Sequence, residues 1–178
     1  MSELYMKSYK VLERIKTIGL IISGVSLFTM MLFIVADVLG RNFLSQSIPG
    51  NFEIVINYFL PLSVFTAMPY AYGIGVLPRI TMVLDRFSDK IRKNIIIGLL
   101  LFEVILFSLI IYYSAIYAIT GTVEEFAFPA GGNLYPYYFL LYLVPLSFFL
   151  VIIEIVFLII KNVKGDTSAL IVAEKKVD

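Results

Sequence analysis

The chain has no cysteine and no histidine among its 178 residues. Disulfides, thiolate nucleophiles, the usual zinc ligands and the usual general base are therefore excluded. The nucleotide-binding pattern G-x-x-x-x-G-K-S/T and the zinc-protease pattern H-E-x-x-H are also missing. An enzyme would have to use interfacial carboxylates such as Asp85 and Asp89, which are ordinary solvated charges by default. The sequence predicts no catalytic role, no metal and no cofactor.

Charged residues are scarce. They make up 15% of the chain, against 60% hydrophobic residues, and the mean hydropathy is +0.94. Side chains this apolar need lipid as their solvent. The net charge of +1 favours no nucleic-acid partner. We expect an integral membrane protein.

Four stretches are long enough to cross a bilayer, whose core of about 30 Å needs about 20 apolar residues in a helix. They are residues 17–39, 52–77, 95–119 and 136–160. The sequence therefore predicts an all-α protein with four transmembrane helices in one membrane domain that covers residues 1–178. The polar tail 165–178 is predicted to be mobile.

The basic residues predict the orientation of these helices. Thirteen of the fourteen Lys and Arg residues fall on one side of the predicted spans, and only Arg41 falls on the other. The loop between helices three and four has no Lys or Arg and carries Glu124 and Glu125. Because Lys and Arg in short loops stay in the cytoplasm, we expect both termini inside and this loop outside.

The segment between helices two and three is too polar to span. Over residues 79–93, apolar residues recur at helical spacing while the charges lie elsewhere. The pattern predicts an amphipathic helix on the inner membrane surface, and an extension of helix three into water is the alternative. Its basic residues include Arg79, Arg86, Lys90 and Lys93.

Turn-forming residues fill the outer loop between helices three and four. Pro129, Gly131, Gly132 and Asn133 all break regular structure. We expect an ordinary loop here, and a short re-entrant turn is the alternative.

Proline and glycine mark special places inside the spans. Pro61, Pro69 and Pro145 lack a backbone donor and should kink their helices. Gly19 and Gly24 in helix one should allow close approach of a neighbouring helix.

Charged residues gather at the outer end of helices one and two. Asp37 and Arg41 are four residues apart, so they face the same side of a helix and can pair. Glu53 opens helix two, where the helix dipole favours a carboxylate. We interpret the three as a structural cluster that holds the hairpin together. A contact to another subunit is the alternative.

Two further acids, Glu103 and Glu154, lie within the predicted spans at comparable depth on antiparallel helices. They could meet, and two adjacent carboxylates can raise one pKa or attract a cation. No Lys or His lies beside them within the predicted spans. The alternative function is therefore a self-sufficient small ion-coupled transporter or channel that uses these two residues.

Short motifs occur in order around the predicted helices. They are Gly40-Arg41-Asn42-Phe43, Ile48-Pro49-Gly50 with Glu53, Arg79-Ile80, and Leu84-Asp85-Arg86-Phe87. Together with the four-helix topology, they make the chain resemble the small, DctQ-like permease subunit of tripartite ATP-independent periplasmic (TRAP) transporters. Phe52, Leu77 and Thr81 depart from residues that are frequent in that family.

The resemblance implies a non-catalytic subunit of a sodium-coupled, binding-protein-dependent secondary transporter for organic acids. Its partners would be a large permease subunit, which this chain would brace, and an extracytoplasmic substrate-binding protein. The expected location is the bacterial or archaeal cytoplasmic (inner) membrane. The outward Glu124 and Glu125 are candidates for docking the binding protein.

Overall fold

The computed structural model describes residues 3–75 and 88–164. Nearly all of them are helical, with one small sheet. The elements are α1 (Glu3–Leu44), α2 (Asn51–Gly73), α3 (Asp89–Val123), β1 (Ala127–Ala130), β2 (Asn133–Pro136), α4 (Tyr138–Leu141) and α5 (Leu143–Lys164).

Four helical segments are long and apolar enough to cross a membrane, as the sequence predicts: Tyr5–Leu44, Asn51–Gly73, Ile91–Val123 and Tyr138–Val163. The predicted bounds of the first and third are too short. With 42 and 35 residues, α1 and α3 are about 63 and 52 Å long at about 1.5 Å per residue. The apolar run records only the part inside lipid, whereas Glu, Lys and Arg continue a helix readily beyond it.

The helices form an up-and-down bundle. α1 packs along α2, α3 packs along α5, and α2 joins the two pairs by packing on α5. The Tyr5 hydroxyl donates a hydrogen bond of 3.0 Å to the Phe157 carbonyl, so the first described turn of α1 lies beside the second half of α5. We call this the terminal end of the bundle and the opposite end the hairpin end. The apolar core lies toward the terminal end and comprises Tyr72, Ile96, Leu100, Val151, Ile155 and Leu158.

Pro61 and Pro145 lie beside irregular turns of the helices, whereas Pro69 lies inside the α-helical segment Leu60–Gly73. Residues Val55–Phe59 of α2 are π-helical, and Pro61 comes two residues after Phe59. Pro145 comes four residues after Leu141, where α4 ends. Because proline has no N–H, the Leu141 carbonyl lacks its normal helical donor. The fourth span therefore begins as one separate turn before α5.

The loop between α3 and α4 contains a β-hairpin, so the expectation of an ordinary loop was wrong. β1 and β2 pair antiparallel from Ala127↔Pro136 to Ala130↔Asn133. Gly131 and Gly132 form the connection with φ of 57° and 87°. Two consecutive positive φ values are those of a type I′ turn, which glycine adopts without strain. A Gly-Gly pair between two short strand-like segments is the signal for this hairpin.

The β-hairpin packs against the loop that joins α1 to α2. A Cβ on Gly50 would lie 2.5 Å from the Ala130 Cβ, and one on Gly131 would lie 2.8 Å from the Pro49 Cβ. The Tyr58 hydroxyl donates a 2.7 Å hydrogen bond to the Pro136 carbonyl. The hairpin end is therefore a single packed layer across the helix pairs.

Several predicted features lie outside the described residues. These are the tail 165–178, the last residues of the predicted second span, and residues 79–87 of the predicted surface helix, with Arg79 and Arg86. Residues 89–93 belong to α3, with Lys90 in its first turn and Lys93 half-buried. The amphipathic surface helix thus stays a prediction.

α1 and α2 approach each other closely at Gly19. A Cβ there would lie inside van der Waals contact of the Thr66 carbonyl oxygen, whereas a Cβ on Gly24 would meet nothing within 4 Å. The expected role in close packing therefore holds for Gly19 and not for Gly24.

We predict opposite effects for Gly19→Ala and Gly24→Ala. The first should destabilise the bundle by about 1–3 kcal/mol, because overpacking against backbone forces the helices apart. The second should be neutral or stabilising by up to about 1 kcal/mol, because alanine favours the helix. Thermal unfolding in detergent measures both. Equal midpoints for the two variants would contradict the close contact.

Candidate functional site

A buried ion pair joins the first and last helices near the terminal end. Lys16 Nζ lies 2.6 Å from Glu154 Oε2, and their side chains are only 4% and 2% exposed. The Tyr9 hydroxyl donates a 3.1 Å hydrogen bond to Glu154 Oε1. Lys16 Nζ also lies 5.2 Å from the centre of the Tyr9 ring, within range of a cation–π interaction. Both carboxylate oxygens of Glu154 are thus satisfied inside the chain.

Helical spacing on α1 positions this pair. The residues of α1 that face the bundle here are Tyr5, Tyr9, Leu12 and Lys16, and steps of three and four residues place side chains on one face of a helix. Gly73 of α2 leaves the space that this ion pair occupies. A Cβ on Gly73 would lie 2.5 Å from Lys16 Nζ and 3.2 Å from Glu154 Oε1. Three helices therefore meet at one buried salt bridge.

Sequence reasoning missed Lys16. The first span was predicted to begin at residue 17, which leaves Lys16 in the segment before the helix. For this reason no lysine was expected beside Glu154. The helix in fact begins at Glu3, so Lys16 lies well inside it and is buried. The stripe that runs from Tyr5 to Lys16 was the available signal, because its period is that of an amphipathic helix.

Glu103 has a different partner. The Tyr72 hydroxyl of α2 donates a hydrogen bond to Glu103 Oε2 of α3, and Tyr72 itself belongs to the buried core. Glu103 is therefore held by a tyrosine and Glu154 by a lysine. A cation at Glu154 would first have to displace the bound ammonium group, so the arrangement is suited to joining helices rather than to binding ions.

A second ionic contact lies at the hairpin end. Asp37 is 2% exposed and pairs with Arg41, as their spacing predicts. Its other oxygen accepts a 2.6 Å hydrogen bond from the backbone N–H of Ile48. Asp37 thus fixes the loop that follows α1. Glu53 is exposed and forms no ion pair with Arg41 in the described part of the chain.

Glu124 and Glu125 are exposed where α3 ends at the hairpin end. Glu125 adopts a left-handed conformation with φ of 51°. Both border an open groove of about 460 Å³. The aromatic residues of that groove are Tyr117, Phe126 and Tyr137. Among the described residues, no group of three acidic side chains lies close enough to hold a metal ion.

These features define the class: a helical membrane protein with four candidate spans, two of which are joined by a buried salt bridge. Residues 30–165, about three quarters of the chain, match the family described as "Tripartite ATP-independent periplasmic transporters, DctQ component". The chain belongs to this family and is the small membrane subunit of a TRAP transporter, as its motifs indicated. No curated protein and no solved structure matches it. In TRAP systems the DctQ component works with a large permease, DctM, and a substrate-binding protein.

We predict strong coupling between Lys16 and Glu154. Either Lys16→Met or Glu154→Gln should destabilise the protein by about 3–5 kcal/mol, because each leaves a buried charge without its counter-ion. The double variant Lys16→Met/Glu154→Gln should lose much less than the sum of the two effects. A double-mutant cycle on unfolding in detergent measures this coupling.

The matched control is Glu13→Gln, which removes a carboxylate from the exposed side of the same helix. It should change stability by less than about 0.5 kcal/mol. Additive losses in the cycle, or an equal loss for Glu13→Gln, would contradict the buried pair.

Proposed function

We propose that this subunit is a static brace for the large permease subunit. The observation that carries the proposal is that polar contacts between elements hold the bundle at both ends. At the terminal end Lys16 and Glu154 join α1 to α5. At the hairpin end Asp37 of α1 binds the backbone N–H of Ile48 in the following loop, and Tyr58 of α2 binds the Pro136 carbonyl of the β-hairpin. A bundle held at both ends resists internal shear, which suits a scaffold more than a moving carrier.

The membrane-facing surface supports the same proposal. In each of the first three spans only 11% of the most apolar window is buried inside the chain, against 33% in the fourth span. α1 and α3 therefore present broad apolar faces to their surroundings. These faces can be covered by lipid or by helices of the large permease subunit, and such packing needs no conformational change in the brace.

The alternative of an independent ion-coupled transporter is disfavoured by the same contacts. It requires Glu103 and Glu154 to be available to a cation. Both already accept hydrogen bonds from neighbouring helices. Glu154 is also neutralised by Lys16.

The remaining assignments of the proposal follow from the family and from charge. Sodium and an organic acid would be carried by the large subunit, and the chain would lie in the cytoplasmic membrane of a bacterium or archaeon. The excess of Lys and Arg at the terminal end favours a cytoplasmic location for both termini. The predicted surface helix over residues 79–93 would anchor the brace at the inner headgroups.

In this orientation the hairpin end faces the substrate-binding protein. Glu124 and Glu125 would then contribute to docking, since both are exposed beside an open groove. Charged groups at the rim of an interface mainly speed encounter with a complementary partner.

The decisive test is sodium-driven uptake in proteoliposomes. We expect uptake only when this chain is reconstituted with the large permease subunit and the binding protein, because the proposal places the ion site in the large subunit. The chain alone should give none. Uptake by the chain alone would overturn the brace, and Glu154→Gln would then show whether the carboxylate carries the ion.

We predict that Glu124→Lys/Glu125→Lys lowers the association rate of the binding protein with the membrane complex about tenfold at low salt, because it reverses the charge at the docking rim. Surface plasmon resonance at two salt concentrations measures the rate. Glu13→Lys, at the opposite end of the bundle, is the control and should leave it unchanged. An unchanged association rate for the double variant would show that these two residues do not contribute to docking.

A further inference from the structure

A cleft separates α1 from α5 toward the middle of the bundle. The two helices touch near the terminal end, where Tyr9 and Lys16 reach Glu154. Beyond that contact lies a cleft of about 220 Å³. Its apolar lining includes Ile18 and Ile22 of α1, Phe65 and Pro69 of α2, and Leu146 and Leu150 of α5. It is thus an apolar slot between membrane-spanning helices, with α2 as its floor.

A basic groove on α1 adjoins this cleft. The groove is lined by Lys10, Glu13, Arg14, Thr17 and Ile18, and Ile18 also lines the cleft. Lys10 and Arg14 are both exposed. The Thr17 hydroxyl donates to the Glu13 carbonyl. Among the described residues that line the groove, Glu13 offsets one of the two cations, so together they carry one net positive charge.

The two features lie at different depths along α1. The apolar run of the helix begins at about residue 17, so Arg14 and Lys10 precede it by about 5 and 10 Å at about 1.5 Å per residue. The headgroup layers add about 5–7 Å on each side of the hydrocarbon. Long basic side chains reach further toward the interface. The basic groove therefore lies at phosphate level, and the cleft lies in the hydrocarbon.

We propose that these two features form one binding site for an anionic phospholipid. Lys10 and Arg14 bind the phosphate of its headgroup, and one acyl chain passes Ile18 and fills the cleft. The cleft volume accommodates a stretch of hydrocarbon and not a whole lipid, which agrees with a headgroup that stays outside. An apolar side chain of a neighbouring subunit would also fill the cleft, but it would make no use of the adjoining cations. This site does not depend on the proposed brace.

The absence of tryptophan from the chain allows a direct test. Phe65→Trp places a single fluorophore in the cleft, and Phe102→Trp places one on the exposed face of α3, where Phe102 is 58% exposed. Each variant is reconstituted in phosphatidylcholine with a small fraction of either acyl-brominated phosphatidylglycerol or acyl-brominated phosphatidylcholine. We expect bromine to quench Phe65→Trp more strongly from phosphatidylglycerol than from phosphatidylcholine. Phe102→Trp should be quenched equally by both. Equal quenching of Phe65→Trp by the two lipids would overturn the site.

A charge variant tests the headgroup contact. In the Phe65→Trp background, Arg14→Gln should reduce the preference for phosphatidylglycerol about fivefold, the factor that corresponds to about 1 kcal/mol for one basic residue at an anionic membrane. Lys7→Gln removes the same charge from an exposed position on the same helix outside the groove, and should reduce it less than twofold. Equal losses for both would show general surface attraction and would overturn the proposed contact.

Two further arms complete the test. Soluble glycerol phosphate at millimolar concentration should leave the quenching unchanged, because the acyl chain contributes to binding. Displacement of the lipid by glycerol phosphate would show that the site binds an anion only, and would overturn the lipid site. Ile22→Trp reports on the same cleft from α1 and replaces Phe65→Trp if that variant does not fold. A preference seen from neither wall of the cleft would also overturn the proposal.

Discussion

The salt bridge between Lys16 and Glu154 is the interaction on which the arrangement of the first helix depends. α1 packs mainly along α2, so its direct connection to α5 is made by a few polar contacts near the terminal end. Two charges that are buried away from water must remain paired, because a buried charge without its counter-ion strongly destabilises the fold. Gly73 is the position on α2 that leaves room for them. The relative positions of α1, α2 and α5 at this point therefore depend on the Lys16–Glu154 pair and on the absence of a side chain at Gly73.

The hairpin end also contains a buried carboxylate, but its partners are close to it in the sequence. Asp37 is buried, but its partner Arg41 extends to the exposed surface, and a backbone N–H satisfies the second oxygen. The β-hairpin then covers the first loop, with Gly50 against Ala130 and Tyr58 bound to the Pro136 carbonyl. In a low-dielectric environment each polar group needs a partner. The chain provides these partners locally at this end and across the bundle at the other.

The sequence was sufficient for features that depend on local spacing or on apolar length. The four spans follow from runs that match the bilayer, and Asp37 with Arg41 follows from one turn of helix. Lys16 and Glu154 are 138 positions apart, and no local rule pairs residues at that distance. The first and third helices were predicted too short because hydropathy marks the apolar run and not helical hydrogen bonding. Gly131 and Gly132 were interpreted only as breakers of structure, although two glycines in succession also make the tightest hairpin turn.

The two-residue turn also determines which backbone groups of the β-hairpin face outward. Because it sets Ala130 opposite Asn133 as the closing hydrogen-bonded pair, the alternation of an antiparallel ladder directs the backbone groups of residues 127, 129, 134 and 136 outward, away from the partner strand. Two of these four are prolines, Pro129 on one edge and Pro136 on the other, and neither has an N–H to offer. A small open sheet is a template for pairing with a strand of another molecule. Here each edge keeps a single donor, so the hairpin has little capacity to recruit a foreign strand.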